Sequence, residues 1–271
     1  MPDRVVSCRI AAAFIHCQLG EERNAIALAT AAMANPALLQ PESMACATYV
    51  RALAHSRLGE LDTALQLIEG KDHDFALMAP GVTPWLSALI NWARAQILWK
   101  IYLYKNHQSL WCGPPPDSGL VQLGAAAPDS ADLQALLERV GRQLPTGLAW
   151  PYSDLLQLSV KGLDAGRREA ACVIRAIERI GVRHQIKNPP IAGWAWLSSA
   201  LVHCSKRQYT QALQAVMLAK STAQTYQLEG LCRNALVYEY HIQETQGDFA
   251  GALSTLLSLI HISEPTRRTP I

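Results

Sequence analysis

The stretch LGELDTALQLIEG, which runs from Leu58 to Gly70, places an alanine five positions after a glycine in an amphipathic segment. Glycine adopts the left-handed conformation that ends many helices, so Gly59 is predicted to end one helix and to let the next begin almost at once. The small side chain of Ala64 would then lie where the two helices approach most closely. The stretch therefore predicts a helix hairpin.

The same pattern occurs at four other places in the chain. It is found in LGEERNAIALATAAMANP from Leu19, AGRREAACVIRAIERIG from Ala165, KRQYTQALQAVMLAK from Lys206 and QGDFAGALSTL from Gln246. The predicted turn residues are Gly20, Gly59, Gly166, Arg207 and Gly247, at intervals of 39, 107, 41 and 40 positions. The matching alanines are Ala25, Ala64, Ala171, Ala212 and Ala252. Because a single helix pair cannot bury its apolar face alone, repeated pairs are expected to stack around a shared core.

The wide interval of 107 positions leaves room for one degenerate pair, so about six hairpins are predicted. They cover residues 4–34, 41–70, 84–143, 151–182, 190–224 and 227–256. Pro84, Pro151 and Pro190 suit the first position of a helix, where the missing N–H costs nothing. The third hairpin is interrupted by a glycine- and proline-rich stretch at 107–130, which is predicted to be an irregular insertion.

Two stretches carry a family resemblance, YHIQETQGDFAGAL from Tyr240 and HSRLGELDTAL from His55. Both resemble tetratricopeptide repeats, whose usual period is about 34 residues. The spacing near 40 is similar to the extended repeats of LuxR-type regulators of the maltose-activator class, and to arrays that precede some diguanylate cyclase domains. The resemblance covers residues 1–256. It implies an all-α, right-handed superhelical solenoid of antiparallel hairpins.

The last residues of the chain, 257–271, depart from this pattern. LSLIHISEPTR, from Leu257 to Arg267, resembles one reading frame of the adapter used in transposase-based sequencing libraries. We therefore expect a repeat domain at 1–256, followed by an adapter-derived segment that replaces the natural continuation of the protein.

Composition narrows the classes of function. Hydrophobic residues make up 50% of the chain, charged residues make up 17%, and the net charge is only +2, which argues against disorder. No uninterrupted apolar run reaches the ~18 residues of a membrane span. The basic pairs at 167–168 and 206–207 are predicted to be solvated helix ends rather than a nucleic-acid surface. Neither a membrane nor a nucleic acid is expected as a partner.

The seven cysteines are odd in number and include no C-x-x-C pair. They are expected to be buried, reduced thiols in a cytoplasmic protein.

Sequence motifs of enzymes and metal sites are absent. The chain has no G-x-x-x-x-G-K-[ST] loop, no G-x-S-x-G elbow and no H-E-x-x-H. The His-Cys neighbours at 16–17 and 203–204 would point ~100° apart on a helix. His241 and Glu244 are one helical turn apart, but zinc needs three or four convergent ligands. We expect no enzymatic activity, no metal and no cofactor.

Three tryptophans, Trp85, Trp92 and Trp99, recur at seven-residue intervals on one predicted helix. Seven residues advance only ~20° around a helix, so the indoles are expected to form a single stripe. This stripe is either an aromatic wall for a ligand or a buried seam, and the seam is the favoured interpretation.

The tetratricopeptide resemblance implies that the first helix of each hairpin lines a concave groove. The groove candidates are Tyr49, Leu53, Trp194, Leu201, Asn234, His241 and Glu244. They mix apolar and weakly polar side chains and lack the repeated Lys and Asn of repeats that clamp a terminal carboxylate. That mixture favours an apolar partner, a helix or intramolecular packing.

The leading hypothesis is a protein-interaction or sensory scaffold that belongs to a larger signalling or transcriptional regulator. Its partner would be a protein, a peptide or its own missing output domain. Two alternatives stay open. One is a fragment of an enzyme, such as a diguanylate cyclase, without its catalytic domain. The other is a small-molecule receptor that uses the tryptophan stripe and the 107–130 insertion.

Overall fold

Prolines and left-handed residues set several of the helix boundaries in the computed structural model. It describes residues 2–19, 21–34, 39–69, 84–111, 128–143 and 151–263. Within these ranges the chain forms α-helices and one short 3-10 helix, with no strand. The predicted all-α class is confirmed for this part of the chain. The chain divides into two compact units, Met1–Ala149 and Trp150–Ile271.

In its described residues, the first unit, Met1–Ala149, forms three helix pairs. Its helices are α1 (Pro2–Leu19), α2 (Glu22–Ala32), α3 (Pro41–Leu58), α4 (Leu61–Glu69), α5 (Pro84–Asn106) and α6 (Ser130–Gln143). α1 packs on α2, α3 on α4, and α5 on α6. In addition, α1 contacts α3, and α3 contacts α5. The first helices of successive pairs are therefore neighbours.

The second unit, Trp150–Ile271, repeats this arrangement. Its helices are α7 (Pro151–Asp164), α8 (Arg167–His184), α9 (Pro189–Ser205), α10 (Tyr209–Thr225), α11 (Glu229–Gln246) and α12 (Phe249–Ser263). The pairs are α7 with α8, α9 with α10, and α11 with α12. Contacts from α7 to α9 and from α9 to α11 again join the first helices. One core cluster combines Leu155 of α7 with Ile174 and Ile177 of α8 and Ile191 of α9.

Three of the predicted turns have the left-handed geometry that ends a helix. The φ angle is +89° at Gly59, +59° at Arg207 and +78° at Gly247. In each turn the next backbone N–H donates to a carbonyl five residues earlier. These bonds are Glu60 to His55 at 3.0 Å, Gln208 to His203 at 2.9 Å and Asp248 to Gln243 at 2.9 Å. A bond of this kind satisfies an orphan carbonyl of the helix end, and it accompanies a left-handed residue at that end.

The predicted turn at Gly166 was misplaced by one residue. Gly166 has φ −64° and ψ 163°, so it is extended and serves as the N-cap of α8. Ala165 takes the position that Gly59 has in its own turn, two residues before the next helix begins. The alanine five positions after it is Ala170, which is fully buried, whereas the predicted Ala171 is exposed.

The other predicted close-contact alanines lie in the core. Their exposed fractions are 0% for Ala25, Ala64 and Ala212 and 4% for Ala252. Gly20 lies outside the described residues. The helix starts agree with the proline positions at Pro84 and Pro151, but α9 begins one residue before Pro190.

Two predicted irregular regions are described only in part. In the 107–130 insertion, a 3-10 helix at Gln108–Leu110 follows α5, and 112–127 lie outside the described residues. In the expected adapter-derived segment 257–271, α12 continues to Ser263, and 264–271 lie outside the described residues.

Candidate functional site

The accessible groove candidates lie in the second unit, on α9 and α11. Trp194 of α9 is 38% exposed, which is unusual for a side chain of that size. Asn234 and His241 of α11 are half-buried, and Glu244 is exposed. Leu201 is only 4% exposed and belongs to the core. The sequence offset of 40 from Trp194 to Asn234, and from Leu201 to His241, makes them equivalent positions of successive first helices.

A glycine allows α9 and α11 to approach closely beside Trp194. A Cβ atom added at Gly193 would lie 2.0 Å from Leu231 Cδ2 and 3.1 Å from Leu231 Cγ. Both residues are buried. Trp194 and Asn234 are therefore carried by two helices that are in direct contact.

The polar groove candidates are partly fixed by their own helix. Asn234 Nδ2 donates to the carbonyl oxygen of Gly230 at 2.8 Å. Tyr240 Oη donates to Glu244 Oε1 at 3.3 Å. Trp194 therefore supplies an apolar group on α9, and α11 supplies polar groups whose positions are held by its own helix.

The groove candidates of the first unit are mostly buried. Tyr49 and Leu53 of α3 are each 7% exposed, and Trp92 of α5 is 6% exposed. Burial raises the pKa of Tyr49 to about 12. These side chains fill the interior, so they offer a partner little surface in this conformation.

The tryptophan stripe is described in part. Trp99 is half-buried and stacks on Tyr102, with their ring centroids 5.9 Å apart. Trp85 belongs to α5, and its side chain lies outside the described residues. The burial of Trp92 agrees with a seam.

Three hairpin turns contain the same kind of side-chain pair, which the sequence analysis did not predict. His16 Nδ1 lies 2.6 Å from Glu21 Oε2, and His203 Nδ1 lies 2.8 Å from Gln208 Oε1. His55 and Glu60 form the same contact. In each case the histidine lies five residues before its partner, and the two residues also share the backbone bond of the turn. The signal in the sequence is H-x-x-x-x-[EQ], which occurs at the carboxyl ends of α1, α3 and α9.

A second repeated contact lies between the carboxyl ends of successive first helices. Arg57 of α3 donates to the carbonyl oxygen of Cys17 near the end of α1. Lys206, which follows α9, donates to the carbonyl oxygen of Leu163 at the end of α7, at 2.8 Å. A cation at the carboxyl end of a helix satisfies an orphan carbonyl and complements the helix dipole. In these two contacts the donor residue lies 40 and 43 positions after the acceptor residue, which is close to the repeat length.

The described residues offer little for catalysis. Burial raises the pKa of Cys17, and it raises that of Cys204 to about 12, so neither thiol supplies a thiolate at neutral pH. Ser199 Oγ donates to Glu178 Oε1 at 3.2 Å, and Glu178 lies 3.9 Å from His203 Nε2. Ser199 is fully buried, so this trio presents no hydroxyl to a substrate.

Metal ligands and cysteine pairs are equally sparse in the described ranges. No group of three or more His, Cys, Asp or Glu side chains is arranged there to hold a metal ion. The described cysteines are free thiols, two of them buried and two half-buried. Cys8 and Cys172 are exposed, in contrast to the prediction that the cysteines are buried.

Comparisons with known proteins give no neighbour from which to infer a function. No protein-family model, curated protein or solved structure matches the chain. Among the helices of the described ranges, none combines the length and the apolar content that crossing a membrane requires.

Proposed function

We propose that this chain is a tetratricopeptide-like helical scaffold that binds a protein or peptide on the exposed surface of α9 and α11. The observation that carries the proposal is the series of contacts between first helices, α1–α3–α5 and α7–α9–α11. In a right-handed solenoid this series lines the concave face, which is the usual binding surface of helical repeats. The free thiols agree with a cytoplasmic location.

The accessible part of this surface combines Trp194, Asn234, His241 and Glu244. Large aromatic side chains dominate the energetics of protein interfaces, and an indole that is more than a third exposed in the free protein is a natural anchor. The half-buried amide of Asn234 and imidazole of His241, both on the neighbouring α11, would fix the orientation of the partner.

The experiment captures binding partners from the lysate of the source organism on immobilised wild type, a groove variant and a control variant, and compares the captured proteins. The groove variant is Trp194→Ala with His241→Ala, and the matched control is Met217→Ala with Leu218→Ala on α10, where both side chains are exposed. Partners of the groove should be retained by the wild type and by the control, and lost by the groove variant. If the groove variant captures the same proteins as the wild type, the groove is not the binding surface.

We also propose that the scaffold belongs to a larger signalling or transcriptional regulator. The supporting observation lies on α12, where Phe249, Leu253 and Leu256 are 71%, 59% and 39% exposed. The residue that corresponds to Leu256, 40 positions earlier, is Val216 of α10, which is fully buried. Val216 lies one turn before Lys220, whose Nζ pairs with Glu239 of α11 at 2.8 Å. The face of α12 that corresponds to the α11-facing side of α10 is therefore apolar and exposed.

Sequencing the genomic locus through codon 257 tests this second proposal. We expect the adapter-like residues to be replaced by coding sequence for a further helix with an apolar face, and then by an output domain. A stop codon directly after Leu256 would contradict it.

A further inference from the structure

The outer face of α8 carries a row of arginines. Arg168, Arg175, Arg179 and Arg183 are all exposed. Their intervals of 7, 4 and 4 residues keep them within about 80° of the helix circumference, and at ~1.5 Å per residue they span ~22 Å. The buried residues of α8, Ala170, Ile174, Ile177 and Gly181, lie on the opposite side of the helix. We call these four residues the arginine row.

Among the described residues, no acidic side chain is paired with the arginine row. None of its four side chains forms an ion pair within the described part of the chain, and Arg175 Nη2 contacts only Cys172 Sγ, at 3.2 Å. Of the two acids on the same helix, Glu178 turns toward α9, where it accepts a hydrogen bond from Ser199, and Glu169 is exposed beside Arg168 at the amino end. Four guanidinium charges therefore lie along one exposed face of one helix.

The arginine row is flanked by apolar surface at its carboxyl end. Val182 is 63% exposed, and Ile186, just beyond the helix, is 84% exposed. A nucleic-acid backbone offers no apolar group to these two side chains. The apolar face of α8 is buried in the core, so the helix cannot embed that face in a bilayer as interfacial helices do. A peptide that combines carboxylates with one or two large aliphatic residues complements both parts of the surface.

From this charge complementarity we infer that α8 is a second docking surface, and that its partner is an acidic amphipathic peptide segment of another protein. Arginine suits this partner because its planar guanidinium binds a carboxylate through two parallel hydrogen bonds. Carboxylates along one face of a helical partner would meet the arginine row, and aliphatic residues at one end would cover Val182 and Ile186. This surface lies on a second helix of a pair, so it is separate from the proposed groove on α9 and α11.

The probe is a fluorescein-labelled helical peptide of about 18 residues with glutamates at intervals of 7, 4 and 4 on one face and two leucines at one end. Binding to the full chain is measured by fluorescence anisotropy at about 50 mM and about 500 mM NaCl. We expect saturable binding at low salt that weakens about tenfold at high salt, because screening shortens the reach of exposed charges. The same peptide with glutamine at the four glutamate positions should not bind.

The arginine row is tested with two charge-matched double variants. Arg175→Gln with Arg179→Gln should weaken binding about tenfold, since two charge-assisted contacts are lost. Lys161→Gln with Arg233→Gln removes the same charge from exposed positions on α7 and α11, and it should leave the affinity within about twofold. All four substitutions are at exposed positions, so the helical circular dichroism signal should not change.

Three results would overturn the inference. The first is the absence of saturable binding of the glutamate peptide at low salt. The second is an equal loss of affinity in both double variants, which would indicate a response to net charge alone. The third is tighter binding to single-stranded DNA of about 20 nucleotides, or to phosphatidylcholine vesicles containing phosphatidylserine, than to the peptide.

Discussion

Lys100 Nζ lies 2.8 Å from the carbonyl oxygen of Ser56 and 3.0 Å from Ser56 Oγ, so α5 places a positive charge at the carboxyl end of α3. The contact spans 44 residues, close to the repeat length, and it parallels the bonds that Arg57 and Lys206 make to earlier helix ends. The repeats therefore share a long-range polar contact as well as an apolar core. Burial, together with the nearby Arg57, lowers the pKa of Lys100 to about 8.

The low pKa of Lys100 predicts a stability that rises with pH. In the unfolded chain a lysine titrates near 10.4, so between about pH 8 and 10.4 the unfolded state binds more protons than the folded state. The free energy of unfolding therefore increases with pH in this window, and below it the contribution is flat. Lys100→Met removes the titrating group, and urea unfolding at pH 7, 8 and 9.5 compares it with the wild type.

The expected result is a stability difference between wild type and Lys100→Met that moves in favour of the wild type from pH 8 to 9.5. Neutral lysine still donates a hydrogen bond to Ser56, so deprotonation removes the cost of burying a charge without breaking the contact. All other titrating groups are shared by both proteins and cancel in the difference. A constant difference across the whole range would show that Lys100 titrates normally.

The corrected position of the close-contact alanine in α8 gives a second prediction. Ala170 is fully buried, and Ala171 beside it is exposed. Ala170→Leu should cost about 1–3 kcal/mol because it overpacks the core, whereas Ala171→Leu should change stability by less than about 0.5 kcal/mol. Urea unfolding of the two variants measures this. If Ala171→Leu destabilised the protein more than Ala170→Leu, the register predicted from the sequence, with Ala171 at the close contact, would be correct.

The repeat pattern located the helix hairpins because proline and glycine act locally. Pro84 and Pro151 begin helices, and Gly59 and Gly247 end them with positive φ angles. The pattern failed by one residue at Gly166, where an extended glycine N-caps α8 and no left-handed residue precedes it. A glycine in the sequence does not say which of these two conformations it adopts.

The candidate site was less predictable, because exposure depends on which neighbouring helix covers a side chain. Tyr49 and Trp194 were both assigned to the groove from their positions in a first helix. Tyr49 is buried, and Trp194 remains 38% exposed. The arginine row was also missed, because its members are four to seven residues apart and form one surface only when α8 is a single helix.

The two glycine conformations lead to a third prediction. At Gly247 the φ angle is +78°, in the region where a Cβ atom approaches the following carbonyl, so Gly247→Ala should cost about 1–2 kcal/mol. Gly166 has φ −64° and open space around its Cα, so Gly166→Ala should stay within about 0.5 kcal/mol of the wild type. Thermal unfolding separates the two. An equal effect of both substitutions would mean that the turn at Gly247 does not need a left-handed residue.

The close approach of α9 to α11 at Gly193 gives a fourth prediction. Alanine gains up to about 1 kcal/mol over glycine inside a helix, but at Gly193 its Cβ would displace the buried side chain of Leu231. Overpacking typically costs about 1–3 kcal/mol, so Gly193→Ala should be destabilising on balance. Gly230→Ala is the matched control, because a Cβ there meets nothing within 4 Å, and it should stabilise the protein slightly.

Leu231→Ala makes this prediction specific to the contact between the two helices. Leu231 supplies the atoms that a Cβ at Gly193 would strike, at 2.0 Å for Cδ2 and 3.1 Å for Cδ1. With Leu231 shortened to alanine, adding Gly193→Ala should no longer destabilise, and the double-mutant cycle should show a coupling of about 1 kcal/mol or more. Urea unfolding of the four proteins measures the coupling. Additive effects would mean that α9 and α11 do not meet at these two residues, and the proposed binding surface across Trp194 and Asn234 would lose its support.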